Sequence, residues 1–155
     1  MRITTKGRYA VRALLDLALF YERGPVNLQN ICQRQDISAD YLEQILRKLR
    51  NAGIVNSVRG PKGGFMLAKP PDQVNIWEIV DILDEPVDPA PCVSAPRKNK
   101  KPCPRVEYCA AHRLWDRLQE HLRDFLSQVT LKDLCDEARG LLSRGSPGHS
   151  HMFHI

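Results

Sequence analysis

Three cysteines and a histidine fall in the order Cys92-x10-Cys103-x5-Cys109-x2-His112. Cys109 and His112 stand three apart at the start of a helical pattern, so both side chains point the same way. The positive end of that helix and the basic run Arg97-Lys98-Asn99-Lys100-Lys101 favour thiolate over thiol. Three thiolates and one imidazole suit a tetrahedral zinc ion or an iron–sulfur cluster with one histidine ligand. Structural zinc sites usually use close C-x2–4-C pairs, and none occurs here. The wider spacings better enclose a multi-iron cluster. Bare thiols that oxidise to a disulfide are a third reading. A catalytic Cys–His pair fits least well, because nothing resembles an orienting third residue or an oxyanion site. No catalytic residue is assigned, and the chain does not read as an enzyme.

The segment that carries the thiols is loop. Pro86, Pro89, Pro91, Pro96, Pro102 and Pro104 are six of the chain's eleven prolines, and each fixes φ and removes a backbone donor. A structureless loop this long is uncommon in a compact domain unless it has a task or is disordered. The remainder must then position this loop and report on what it holds. With 155 residues there is room for one domain plus an appendage. No apolar run approaches the roughly 18 residues of a membrane span. The opening Met1-Arg2-Ile3-Thr4-Thr5-Lys6 lacks a signal-peptide core, which together predict a cytoplasmic protein without membrane partners. Five cysteines in such a chain more often bind metal or do redox chemistry than form structural disulfides.

Charge is uneven. Residues 1–80 hold twelve Lys and Arg against seven Asp and Glu, whereas residues 81–155 hold eleven of each. A basic first half suggests a polyanion partner. Its pattern agrees. Val11, Leu14, Leu15, Ala18 and Leu19 mark one face of a helix, and Ala10, Ala13, Leu17, Phe20 and Tyr21 add a second. Such a helix is buried on both sides, at the domain centre or against a second subunit. Gly24-Pro25 ends it. Asn27 caps a short helix with Leu28, Ile31 and Cys32 inward, Cys32 as a core residue. Ser38 caps the next, Ala39 to Ala52, with Leu42, Ile45, Leu46 and Leu49 inward and Gly53 as its stop. This is a helix-turn-helix.

Two strand-like runs, from Ile54 and from Phe65, flank the tip Arg59-Gly60-Pro61-Lys62-Gly63-Gly64. A basic hairpin in this place is a wing. The glycines would let the tip approach a phosphate backbone or enter a narrow groove, where Arg59 and Lys62 supply charge. Ser38, Ala39, Asp40, Tyr41, Glu43, Gln44 and Arg47 form the exposed, leading part of the recognition helix. Arg47 and Gln44 carry donors for purine edges, and Ser38 and Tyr41 can bond phosphates. Glu43 is repelled by phosphate and would discriminate between sites rather than add affinity. With Gly60, Pro61 and Gly63 at the wing tip, these residues predict an interface for double-stranded DNA.

A fourth helix opens near Asn75 with Ile76, Ile79, Val80 and Leu83. From Ala110 the apolar residues Ala111, Trp115, Leu118, Leu122, Phe125 and Val129 alternate in steps of four and three, a seam for a partner helix in a dimer. Thr130-x-x-Asp133 is a capping box for a last helix with Leu131, Leu134, Cys135 and Ala138 inward. The chain therefore divides into a winged helix-turn-helix domain (1–85), a cysteine-rich loop (86–109), a dimerisation helix and C-terminal helix (110–142), and a disordered tail (143–155) with His149, His151 and His154. The fold class is mainly α with a small β-hairpin.

The opening Met1-Arg2-Ile3-Thr4-Thr5-Lys6-Gly7-Arg8-Tyr9-Ala10-Val11-Arg12-Ala13, the stretch Ser38 to Leu49, and Val58-Arg59-Gly60-Pro61-Lys62-Gly63-Gly64-Phe65 closely resemble the Rrf-type winged-helix regulators of bacteria. Within that family the cysteines and His112 look most like the branch that carries an iron–sulfur cluster. The resemblance implies a homodimeric transcription factor with one 2Fe-2S cluster per subunit, held by Cys92, Cys103, Cys109 and His112. It also implies control of cluster-assembly genes from palindromic operators, with RNA polymerase as a partner at activated promoters. In such proteins the glutamate matching Glu43 gates which sites the cluster-free form accepts. Two features depart from the pattern. The Cys92–Cys103 spacing of ten exceeds the family's usual five, and Arg8 stands where nitric-oxide-sensing relatives place an acid.

Overall fold

The computed structural model describes residues 4–83, 88–93 and 103–143. Helix α1 spans Thr5–Leu19, followed by a single 3-10 turn at Tyr21–Arg23. No residue from 9 to 21 is exposed, and α2, α3, α4, α6 and the hairpin all pack around this helix. Its double apolar face thus lies at the domain centre.

Helix α2 (Leu28–Gln35) opens on Asn27, whose side chain accepts the Gln29 amide at 2.8 Å, and ends on Asp36 in the left-handed region. Helix α3 (Ala39–Asn51) buries Leu42, Ile45, Leu46 and Leu49. Ser38 occupies its N-cap position but makes no capping hydrogen bond through its side chain, so the expected cap is positional only. The other end is fully made. The Gly53 amide bonds the Arg50 carbonyl at 3.0 Å and the Ile54 amide bonds that of Leu49 at 2.9 Å, with Gly53 at φ +77°. Ile54 and Leu49 are both buried beside this stop, which completes a Schellman ending.

Strands β1 (Val55–Val58) and β2 (Gly64–Leu67) pair antiparallel, Val55 opposite Leu67 and Val58 opposite Gly64. Val26 adds a third, one-residue rung. Its amide donates to the Phe65 carbonyl and the Phe65 amide to the Val26 carbonyl, both at 2.8 Å. A side chain at Gly64 would collide with the Val26 carbonyl, and one at Gly63 with that of Val58. Gly63 and Gly64 are therefore required for close backbone approach, within the wing and against Val26. Gly60 at the tip has φ +117° with open space around it.

Helix α4 (Ile76–Ile82) is capped by Asn75, which accepts the Glu78 amide at 2.8 Å. After the loop, α5 runs from Ala110 to Gln128 and α6 from Leu131 to Ser143, past Gly140. The capping box between them is reciprocal: the Thr130 amide donates to Asp133 at 2.8 Å and the Asp133 amide to the Thr130 hydroxyl at 3.2 Å. The link also pairs with the strand entering α4, through Ile76 N–H to the Val129 carbonyl and Leu131 N–H to that of Val74, each 2.9 Å. That ladder fastens α5 and α6 to the DNA-binding body. Leu131, Cys135 and Ala138 are buried there, and burial pushes the Cys135 thiol's pKa up. Cys32 is half-buried against the core, with its pKa raised for the same reason. None of the described helices is long and apolar enough to cross a membrane. The basic run Arg97–Lys101 and the tail histidines lie outside the described residues.

Candidate DNA interface and cluster site

The inward leucines of α3 fix its rotation, and that rotation decides what faces outward. Ser38, Asp40, Glu43, Gln44 and Arg47 are exposed, while Ala39 and Tyr41 are half-buried. Tyr41 meets Tyr9 edge-on with ring centres 5.8 Å apart, so its ring is part of the α1–α3 contact. Arg59, Gly60, Pro61 and Lys62 stand exposed on the wing, and Gly63 turns under it. Arg50 reaches Ser57 at 3.4 Å and ties the end of α3 to β1.

One element of the site had only a single sequence cue. Asp16 on α1 and Gln35 at the end of α2 are buried. Arg34 grips Asp16 through two hydrogen bonds of 2.8 and 2.6 Å, and Gln35 donates to the same carboxylate at 3.3 Å. These hydrogen bonds hold the Arg34 pKa above its ordinary value. Arg12 then donates to the Gln35 side chain at 3.2 Å and to the Gln35 backbone carbonyl. The last carbonyl before the helix-turn-helix bend is thus held by α1. The only sequence cue was an acid, Asp16, amid the apolar faces of the first helix, which must find a partner when buried.

Helix α5 has no buried residue, although it is 19 residues long. At 100° per residue its apolar positions cover an arc of roughly 120°. In its second half Leu122, Leu126 and Val129 pack on the domain core, and Arg123 lies over Trp77 of α4 at 5.2 Å. The other apolar residues are bare: Leu114, Trp115, Leu118 and Phe125 are exposed, Phe125 by 64%. The expected seam is therefore divided. Leu122 and Val129 turn to their own subunit, and Ala111, Trp115, Leu118 and Phe125 turn outward.

Cys92 and Cys109 are half-buried and Cys103 is exposed, all as free thiols. Cys109 sits at the N-cap of α5 and makes no side-chain cap bond. His112 lies one turn further on, and its Nδ1 is shielded from solvent with no hydrogen-bond partner. An orphaned acceptor or donor of this kind is rare in a finished interior and is explained by a missing partner such as a metal. Asp88 accepts a hydrogen bond from Gln119 at 3.0 Å, which pins the start of the loop two turns along the same face as His112. The four residues from Asp88 to Cys92 reach at most about 14 Å, and His112 lies about 10 Å along the axis from Gln119. Cys92 is within range. Among the described residues, no three Cys, His, Asp or Glu side chains are gathered at metal-binding distance. The donor set of Cys92, Cys103, Cys109 and His112 fits a thiolate–imidazole metal centre in its chemistry.

A helix-turn-helix with a polar recognition face, followed by a basic hairpin, defines a winged-helix DNA-binding regulator. A model of the Rrf2 family, described as iron-dependent transcriptional regulator, matches residues 3–137. Curated relatives include the transcriptional regulator IscR of Erwinia tasmaniensis, 46% identical over 134 residues that cover 86% of this chain and 78% of that one. IscR of Klebsiella pneumoniae (strain 342) is 42% identical over 151 residues, 97% of this chain and 89% of the relative. Among solved structures, IscR of T. potens superposes with a TM-score of 0.74 at 30% identity, over 96% of this chain and 95% of that one. CymR of B. subtilis, a global cysteine regulator, gives 0.72 at 34% identity, over 88% and 98%. The chain belongs to the Rrf2 family of transcriptional regulators. It is an IscR-like member.

Proposed function

We propose that this regulator senses the supply of iron–sulfur clusters, acts in the cytoplasm as a homodimer on palindromic operators, and controls cluster-assembly genes. The observation that carries the reading is the shielded, unpartnered Nδ1 of His112, next to Cys109 and on the face where the loop bearing Cys92 is pinned. Cys92, Cys103, Cys109 and His112 would hold one 2Fe-2S cluster per subunit. When bound, the cluster supplies a cross-link between the loop and the first turn of α5, together with its own redox lability. The chain's residues do the rest. Ser38, Ala39, Asp40, Tyr41, Glu43, Gln44 and Arg47 enter the major groove, and Arg59, Gly60, Pro61, Lys62 and Gly63 approach the flanking minor groove. Glu43 screens operators by rejecting those that offer its carboxylate no donor. The exposed apolar residues of α5, Trp115 and Leu118 among them, pair with their copies in the dimer. RNA polymerase is the further partner at activated promoters.

The test is a visible absorption spectrum with iron, sulfide and zinc analysis, on protein purified without oxygen. About two irons and two sulfides per chain, lost in Cys103→Ala, are expected. Stoichiometric zinc in a colourless protein would make the loop a structural staple and overturn the reading.

A further inference from the structure

Beneath the wing tip lies a cleft of about 270 Å³, walled by the α1–α2 connection on one side and by Pro61, Lys62 and Gly63 on the other. No carboxylate lines it. Arg23, Asn30, Arg34 and Lys62 do, and the Val26–Phe65 bridge holds its two walls together. Two guanidinium groups share one ring there: Arg34 lies 4.7 Å and Arg23 5.4 Å from the centre of Phe20. Arg34 has Asp16 as counter-charge at 2.6 Å. For Arg23 and Lys62, no acidic partner occurs among the described residues.

We infer that this cleft takes one backbone phosphate of the DNA, held chiefly by Arg23, beyond the contacts of the recognition helix and the wing tip. The size suits a single phosphodiester, being below the range of sites that enclose a whole small molecule. Phe20 lies against the Arg23 guanidinium at the cleft without neutralising it, and Asn30 offers a further donor. A phosphate here would give Arg23 the counter-charge that it lacks among the described residues. Arg23 lies outside both the recognition helix and the wing hairpin, so the footprint of each subunit would extend past the wing. This rests on the DNA-binding reading and adds one contact to it.

The experiment measures affinity for a duplex of about three helical turns as a function of salt. The full-length proteins compared are wild type, Arg23→Gln, Arg23→Glu and Arg59→Ala. Each phosphate contact contributes about 0.9 to the slope of log K against log salt. Arg23→Gln is expected to lower the slope by about that amount per subunit engaged, and Arg23→Glu to lower it further. Both should weaken all sequences alike and leave discrimination between duplexes unchanged. A slope unchanged in both Arg23 variants, with Arg59→Ala weakened, overturns the cleft contact and leaves the DNA reading intact. Absence of salt-dependent binding by the wild type would instead sink the DNA reading itself. Thermal stabilisation of the wild type, but not of Arg23→Gln, by inorganic phosphate without any change in DNA slope would make the cleft a small-anion site and also overturn the inference.

Discussion

Substituting Asp16 by Ala tests whether the helix-turn-helix is held by charge. The carboxylate is 2% exposed and Arg34 15% exposed, so water can replace little of what is lost. Breaking one side of a buried ion pair typically costs about 3–5 kcal/mol, because the other charge is left uncompensated. The small opening at Arg34, and its stacking on Phe20, argue for the lower end, about 3 kcal/mol. For a chain this size each kcal/mol moves Tm by roughly 2–4 °C, so a fall of about 6–12 °C is expected. The assay is urea denaturation monitored by circular dichroism, with the midpoint shifting at constant m. Asp16→Ala combined with Arg34→Met should recover about half or more of the loss, since the uncompensated charge is gone and the aliphatic stem still covers Phe20. A single-variant loss below about 1 kcal/mol would refute the argument, because that is the worth of a solvated pair. So would a double variant whose loss equals the sum of the singles, which would mean that the two residues do not interact.

Other expectations follow from single contacts. Gly63→Ala should deform the wing tip and reduce DNA affinity, whereas Gly60→Ala, which meets no neighbour, should strain φ alone; hydrogen exchange across 58–65 separates the two. Hydrogen bonds from Thr130 hold the Asp133 carboxyl below its ordinary value near 3.8. The capping box therefore stabilises fully above that value, and its contribution is lost as pH falls through the lowered one. Thr130→Ala should flatten that acid limb of the stability curve. Leu118→Glu, at an exposed position of α5, should abolish the proposed dimer in sedimentation while leaving the monomer's fold intact.

What could be read from the sequence was local. Asn27, Asn75, Gly53 and the Thr130–Asp133 pair each act within a few residues, and each does in the structure what its position demanded. Ser38 shows the limit, because a residue type favoured at a helix start need not use its hydroxyl there. The division of the α5 seam was invisible because a heptad pattern gives the apolar arc but not which of its residues the body already covers. The Asp16–Arg34–Gln35–Arg12 network joins residues 18 to 23 positions apart, and its partners depend on how α1 crosses α2. Glycines in the wing suggested contact with DNA. Two of the three also serve the packing of the wing on Val26 and on its own tip, which the sequence did not reveal.

The double backbone bridge between Val26 and Phe65 bears on how such a regulator can diversify. Both bonds run between main-chain atoms, so substitution of either side chain leaves them in place unless proline removes a donor. Arg59, Pro61 and Lys62, and the outer face of α3, can therefore drift towards new operators one residue at a time. The attachment of the wing to the segment before α2 is inherited unchanged throughout. New specificities would arise by repainting a fixed frame, and the positions that resist change would be those, such as Gly64, where the frame leaves no room for a Cβ.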